Sequence, residues 1–306
     1  MCRLALFSNL KVKGAWLDDL TASQGGDGNG FVFPAGINPA IRLFQDGKLS
    51  SKEYDGLLVK KWYIPMPRVY GRMLSIYTHK SINLQEGFLA FHTRLASADS
   101  AAAENVHPAY AKGKKATVLL MQNGHEPDNI KRLMLYKRLE KLFDGTDYKS
   151  AAKLVAETGD PRLLLLTSSN WFVFMNKGEG WELFVVSSKE HDPLVRADFG
   201  DGKFYITSEL LDYSHYGEKF LGIVRFRVFG NKLEPVSEEI YERWQYVASK
   251  PKYNFGATKS KKTNKLSKSA EVCGDYDDSF VDDPYWYSDW KLYQREEEKK
   301  EGEVNK

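Results

Sequence analysis

Ala116-Thr117-Val118-Leu119-Leu120-Met121-Gln122-Asn123-Gly124 reads as a buried strand that stops at a turn. The run is too short for a helix, suits the interior of a sheet, and ends on an Asn-Gly signal. The pattern changes downstream. Across residues 128–143, Ile130, Leu133, Met134 and Leu139 recur on one helical face with lysines and arginines between them. A second helix is expected from Thr146 to Glu157, with Thr146 as its N-cap. Residues 163–166, 171–175, 183–186, 204–207 and 221–229 are β-type runs. Turn signals separate them, among them Asn176-Lys177-Gly178, Gly200-Asp201-Gly202 and Gly230-Asn231.

Upstream of the same run, residues 3–8 suit a buried strand that starts almost at the terminus. Residues 24–30 form a glycine-rich loop, followed by the apolar Phe31-Val32-Phe33. Residues 40–60 look partly helical, with Leu43, Phe44, Leu57 and Leu58 as core candidates. Two more strands are expected at 74–77 and 88–92, the second leading into Thr93-Arg94. Strands, two central helices and more strands describe an α+β layered domain rather than an alternating βαβ fold.

The chain has 306 residues, 42% of them hydrophobic, enough for one large core with an appendage. With 44 Lys+Arg against 41 Asp+Glu, global charge gives no argument for nucleic acid or an anionic membrane. The two cysteines, Cys2 and Cys273, make no disulfide framework, and a reducing cytoplasmic setting is expected. The opening apolar run is too short for a signal peptide, and no later stretch approaches the length of a transmembrane helix. The six histidines show no ligand spacing with cysteine or carboxylate, so neither a metal nor another cofactor is expected.

Composition shifts near residue 249, giving a domain over 1–249 and a tail over 250–306. Residues 250–268 carry seven lysines and no acid, whereas 271–290 carry seven acids and six aromatics. The tail reads as mostly disordered. Its aromatic segment 275–290 is a candidate docking element for a protein partner. The lysine run, lacking arginine and followed by acids, is a poor nucleic-acid signal.

Cys2 carries the chemistry. Once Met1 is removed, the terminal amine, with an ordinary pKa near 8, lies a few bonds from a thiol of pKa near 8.5. One residue then supplies both nucleophile and base. Cleaving a side-chain amide also needs donors for the tetrahedral oxyanion, which the Asn123 amide and the Gly124 N–H can provide. Arg94 suits an α-carboxylate through its bidentate fork, and Asp147 in a first helical turn suits an α-ammonium. The bland alternatives are a small residue opening a strand, a surface arginine and a carboxylate on a helix dipole.

Over roughly residues 2–230 the chain resembles the class II glutamine amidotransferases, a family of N-terminal-nucleophile hydrolases. Met1-Cys2-Arg3 matches the family's opening, and Gly25-Gly26-Asp27-Gly28-Asn29-Gly30 is similar to its glycine loop without the arginine and proline. His92-Thr93-Arg94-Leu95-Ala96-Ser97-Ala98-Asp99 is similar to its His-Thr-Arg-Trp-Ala-Thr-His-Gly segment. Asn105-Val106-His107-Pro108 matches its Asn-x-His-Pro, and Gln122-Asn123-Gly124 its His-Asn-Gly. Thr146-Asp147-Tyr148-Lys149 corresponds to its Ser-Asp-Thr-Glu, with a rival alignment on Asp144 or Gly145.

The resemblance implies a four-layer αββα sandwich and a glutamine amidotransferase or glutaminase activity through a Cys2 thioester. It assigns Asn123 and Gly124 to the oxyanion, and Arg94 and Asp147 to substrate. His92 and His107 are left to structural roles. With no synthase domain after residue 250, the ammonia acceptor is expected on a separate synthase, or the enzyme simply hydrolyses. Leu95 and Ala98-Asp99, where the family has tryptophan and His-Gly, leave room for another γ-glutamyl amide as substrate. A catalytically idle module that binds a partner is the remaining alternative.

Overall fold

A computed structural model describes residues 2–12, 16–17, 20, 28–37, 41–43, 48–63, 76–78, 82–83, 87–94, 105–208, 211 and 216–247. The expected tail at 250–306, Cys273 and residues 95–99 lie outside the described residues.

Seventeen strands are described: β1 (Arg3–Ser8), β2 (Lys11–Val12), β3 (Gly28–Pro34), β4 (Ile41–Leu43), β5 (Lys48–Tyr54), β6 (Leu57–Tyr63), β7 (Ile76–Thr78), β8 (Ile82–Asn83) and β9 (Phe88–Arg94), then β10 (Ala109–Lys112) and β11 (Thr117–Asn123) before the helices. After them come β12 (Asn170–Asn176), β13 (Trp181–Ser187), β14 (Leu194–Asp198), β15 (Phe204–Thr207), β16 (Tyr216–Phe229) and β17 (Lys232–Val247). Thirteen of these make one antiparallel sheet in the order β10-β11-β12-β13-β16-β14-β15-β1-β9-β3-β6-β5, with β17 beside β16.

The sheet curls so that its two halves face each other. Alternate side chains of β1, β3, β6 and β9 (Leu4, Leu6, Val32, Leu57, Val59, Phe88, Ala90) share one core with Leu119, Met121, Phe172, Phe174, Leu183 and Val185 of the other half. β16 carries the sheet from one layer to the next: residues 222–227 pair with β13 and residues 218–220 with β14. The register shifts between Leu221 and Gly222, where Gly222 adopts φ +142°. A bulge with a left-handed glycine gives the sharp bend that closing the sheet demands.

Two helices follow: α1 (Pro127–Tyr136) packs against α2 (Asp147–Thr158), which covers the outer face of the β10–β11 half. Here α2 buries Ala151, Ala152, Leu154, Val155 and Ala156. It ends in Gly159, whose φ of +68° makes the left-handed C-terminal cap that favours glycine. On the opposite outer face, Trp16, Leu17 and Leu20 pack on Phe7, Phe31, Phe33 and Phe91. These three are the helical residues described there. The fold is therefore α+β with two facing β-layers, but sheet-rich rather than the four even layers expected.

Part of the difference lies at residues 40–60, expected to be partly helical, whose described stretches 41–43, 48–54 and 57–60 are strands. Asp55 and Gly56 both have positive φ (47° and 83°), the two-residue turn that joins twisted antiparallel strands. Asp-Gly thus turns β5 into β6. Leu57 is buried and Leu58 is partly buried, while the side chains of Leu43 and Phe44 are not described. The expected strand at 163–166 is instead a 3-10 turn over Pro161–Leu166, opened by Asp160 accepting the Arg162 N–H at 3.1 Å. The expected helix at 128–143 stops at Tyr136, beyond which Arg138 turns left-handed (φ +56°). No helix among the described residues is long and apolar enough to cross a membrane.

Gly222 gives a test. A Cβ there falls 2.3 Å from the Glu239 carbonyl oxygen, whereas at Gly178, also at positive φ (+106°), it meets nothing within 4 Å. Gly222→Ala is expected to cost at least about 2–3 kcal/mol in urea unfolding, and Gly178→Ala about 1 kcal/mol. Equal costs would remove Gly222 from its part in the bend.

Candidate active site

The expected residues lie where the strands of both layers end. Across β1, β9, β3 and β6, Arg3 faces Thr93, Gly28 faces Arg94 and Tyr63, and Gly30 faces His92 and Lys61. Side chains alternate between faces. Because Leu4, Ala90, Val32 and Val59 point into the shared core, so do His92, Arg94 and Lys61 in turn. Cys2, one residue before β1 and partly buried, continues the alternation onto that inner face beside Arg94. In the facing layer Leu119 and Met121 are inward, so Asn123 at the end of β11 is inward too. β1 and β11 approach each other directly.

Two histidines join the layers here. β10 stops pairing with β11 at Leu120, and both backbone groups of Gln122 are taken up by side chains. His107 Nδ1 accepts the Gln122 N–H at 3.3 Å, and His92 Nε2 donates to the Gln122 carbonyl at 2.9 Å. The two rings stack at 3.9 Å, and Tyr148 lies on His107 at 4.3 Å. Burial, outweighing the hydrogen bond to Gln122, takes His92 down to about 3. Burial, with the charges of Lys61 and Arg94 close by, also holds His107 well below the usual value. Both rings are therefore neutral, and the hydrogen bonds fix the tautomers: Nε2 carries the proton on His92, and Nδ1 is bare on His107.

Of the expected glycine loop, Gly28 and Gly30 belong to β3, with another segment lying directly on them, and residues 24–27 lie outside the described residues. A Cβ at Gly28 would fall 2.6 Å from Val106 Cγ2, and one at Gly30 only 1.8 Å from the His107 carbonyl oxygen. Gly124 is confined in the same way, its Cβ position lying 1.9 Å from Ser169 Oγ.

Arg94 and Asn123, like Asn29 on the other face of β3, carry buried polar atoms without a hydrogen-bond partner. Asn123 is fully buried, and neither its Nδ2 nor its Oδ1 has a hydrogen-bond partner. Arg94 is 9% exposed with Nη1 buried and unpartnered. Each unsatisfied buried group costs about 1–3 kcal/mol, more when charged.

Asp147 sits elsewhere, on the helix side of β11 with the Gln122 side chain. Its Oδ2 accepts the Glu126 N–H at 2.7 Å and Gln122 Nε2 at 3.0 Å, and its Oδ1 accepts the Tyr148 N–H at 2.9 Å. The rival Asp144 is exposed and bound to Thr146, Ser150 and Lys153. Burial alone would raise it, but the hydrogen bonds from Lys153 and Thr146 bring it down to about 2. Thr146 marks the start of α2 as expected, but its hydroxyl donates to Asp144 instead of capping the helix.

Sequence reasoning missed Glu126 and Ser169. Glu126 is buried, its carboxyl pushed up by that burial, and it accepts from Asn129 Nδ2 (2.7 Å) and Ser169 Oγ (3.3 Å). Ser169 Oγ also accepts from Gln122 Nε2 at 3.3 Å. The network thus encloses the Asn123–Gly124 turn from behind. The acid directly ahead of Pro127, at the N-cap position of α1, was the available signal.

No protein-family model matches the chain, and no curated protein matches it. Among solved structures, the chain is similar to a glutamine phosphoribosylpyrophosphate amidotransferase from B. subtilis, complexed with ADP and GMP. The identity is 17% and the TM-score 0.43, covering 78% of this chain and 50% of that one. This chain therefore spans half the length of that protein. It is also similar to a glutamine aminotransferase class-II domain protein from Silicibacter pomeroyi, at 12% identity and a TM-score of 0.34. That match covers 77% of this chain and 100% of the other.

Neutral His92 and His107 make the junction acid-sensitive. Unfolded, each takes up a proton near pH 6.5, whereas folded they resist it down to about 3 for His92 and well below the usual value for His107. Stability is then complete above about pH 6.5 and falls as pH drops below it, by about 1.4 kcal/mol per pH unit for each histidine. His107→Gln should remove one histidine's share of that slope between pH 6 and pH 4 in urea titrations. An unchanged slope would show that His107 is not held neutral.

Proposed function

We propose that the chain is a glutamine amidotransferase-like amidohydrolase with Cys2 as its N-terminal nucleophile. The reading rests on Asn123: a fully buried side-chain amide without a partner, inward-facing at the end of the strand opposite Cys2 and Arg94. An oxyanion is the chemistry that such a donor, beside the Gly124 N–H, is suited to meet.

In the proposed cycle the α-amine of Cys2, exposed by removal of Met1, takes the thiol proton. The thiolate adds to the γ-carbonyl carbon of glutamine, and the carbonyl oxygen becomes an oxyanion held by Asn123 Nδ2 and the Gly124 N–H. The C–N bond then breaks as the ammonium returns its proton to the leaving nitrogen, giving ammonia and a thioester. Water, deprotonated by the same amine, adds to the thioester and releases glutamate and the thiol. Arg94 binds the substrate α-carboxylate through its guanidinium, whose Nη1 is buried and unpartnered. Asp147, turned to the helix side of β11 by Gln122, Glu126 and Tyr148 and with His125 Nδ1 3.6 Å from its Oδ2, is given no step in this cycle. The ammonia passes to a separate synthase or to water, and the tail segment 271–290 is the candidate contact for such a partner.

The test is covalent labelling by an electrophilic glutamine analogue, read by intact mass. The expected species lacks Met1 and carries one adduct, which Cys2→Ala abolishes. Asn123→Ala should lower kcat for ammonia release by about 10²–10³ with KM little changed. Arg94→Lys should mainly raise KM, because an ammonium cannot reproduce the fork. Retention of Met1, or labelling that survives in Cys2→Ala, would sink the proposal. Comparing glutamine with γ-glutamyl peptides then identifies the preferred amide.

A further inference from the structure

Lys61 lies three strands from Cys2 across β9, β3 and β6, about 14 Å away at ordinary strand spacing. It is partly buried and faces inward beside Gly30, the position on which the His107 carbonyl rests. Asn105, two residues before His107, accepts Lys149 Nζ at 3.0 Å and the Tyr148 hydroxyl at 3.5 Å through its Oδ1. Tyr148 in turn stacks on His107. Thus β6, the 105–107 segment and the start of α2 converge, with Lys149 near enough for its charge to act on Lys61.

Among the described residues, no carboxylate pairs with either lysine. Asp144 binds Lys153, and Asp147 is held on the Gln122 side of the helix start. Burial first, and then the charge of Lys149, brings Lys61 down to about 8, which is the response of an ammonium whose neighbour is another cation. Arg94 acts on both His92 and His107, and Lys61 acts on His107.

We propose that Lys61 and Lys149, with the Asn105–His107 segment between them, form a binding site for a small dianionic oxyanion, a phosphate group in preference to a carboxylate. Two lysines match the charge of phosphate near neutral pH, and an ammonium binds it as a point charge without needing a fixed fork. The site is separate from Cys2 and does not rest on the amidohydrolase reading. An anion bound there would brace the segment that lies on Gly28 and Gly30, one row behind Arg94.

The test is thermal unfolding and calorimetric titration of the full chain with inorganic phosphate, with glutarate as a dicarboxylate arm and chloride matching ionic strength. Phosphate should bind saturably near about 1 mM and raise the Tm, with glutarate weaker. Lys149→Met and Lys61→Met should each weaken phosphate at least about tenfold. In phosphate-free buffer both variants should melt at or above the temperature of the native chain, because each removes a repulsion. Cys2→Ala should bind phosphate normally, which separates failure here from failure of the proposed activity. No saturable binding, or binding unchanged in Lys149→Met, overturns the proposal. Glutarate binding more tightly than phosphate overturns the stated preference and leaves a carboxylate site.

Discussion

The hydrogen bond from His92 Nε2 to the Gln122 carbonyl crosses from one layer of the curled sheet to the other, at the end where the candidate residues gather. Without it, and without the Gln122 N–H donated to His107, β11 would leave both backbone groups of a buried residue unpaired once β10 ends. The bond constrains protonation as well as position. His92 must offer Nε2–H and His107 must keep Nδ1 bare, and burial enforces both by excluding charge. At the other end of the layers the clamp is of a different kind. Trp181 Nε1 donates to the Asp55 carbonyl at 3.0 Å, and Asn176 Nδ2 to the Asp55 carboxylate at 2.8 Å, holding the β5–β6 turn against β12 and β13. Between these two clamps lies the apolar core, which is non-directional and by itself would tolerate sliding of one layer over the other.

Glycine makes the first clamp compact. Val106 and His107 lie on Gly28 and Gly30 so closely that no side chain fits at either position. The segment that makes this close approach also carries Asn105, which Tyr148 and Lys149 meet from the start of α2. One close approach therefore serves both the junction of the layers and the lysine pair. The structure bears a cost there, in two like charges and in the unpartnered atoms of Asn123 and Arg94. Buried polar atoms without a partner also occur elsewhere in the sheet, at Ser8 and Trp62, so polar satisfaction is relaxed at several places and not at this end alone.

What the sequence made legible follows from which interactions are local. The strands at 3–8, 88–92, 116–121 and 171–175 announce themselves because both their faces are buried, which leaves unbroken apolar runs. The start of α2 was legible from its turn residues. Residues 48–54 were not, because β5 is almost wholly exposed, and its polar sequence carries no apolar alternation to read. The Asp55-Gly56 turn was the signal that would have corrected them. At 163–166, apolar side chains pack under a 3-10 turn, and composition alone does not separate that from a strand. Among the candidate site residues, Cys2, Arg94 and Asn123 were singled out by an ordered set of motifs. The face each occupies, and the diversion of Asp147 to Gln122 and Glu126, depend on pairings between residues far apart in the chain.

The position of Asn123 shows how much one register decides. Neighbouring strand residues point to opposite faces, so a slip of β11 by one residue would exchange Asn123 and Gln122. The Gln122 side chain would then enter the inner face, and Asn123 would meet Asp147 and Ser169 on the helix side. Apolar packing guards weakly against this, since Val118, Leu119, Leu120 and Met121 can fill either face. The guard is polar. His92 and His107 recognise the backbone of residue 122, while Asp147 and Ser169 recognise its side chain. Gln122, a residue in no proposed chemical step, is held by four partners so that the next residue has none, and the unpartnered amide of Asn123 is thereby aimed at the layer that carries Cys2.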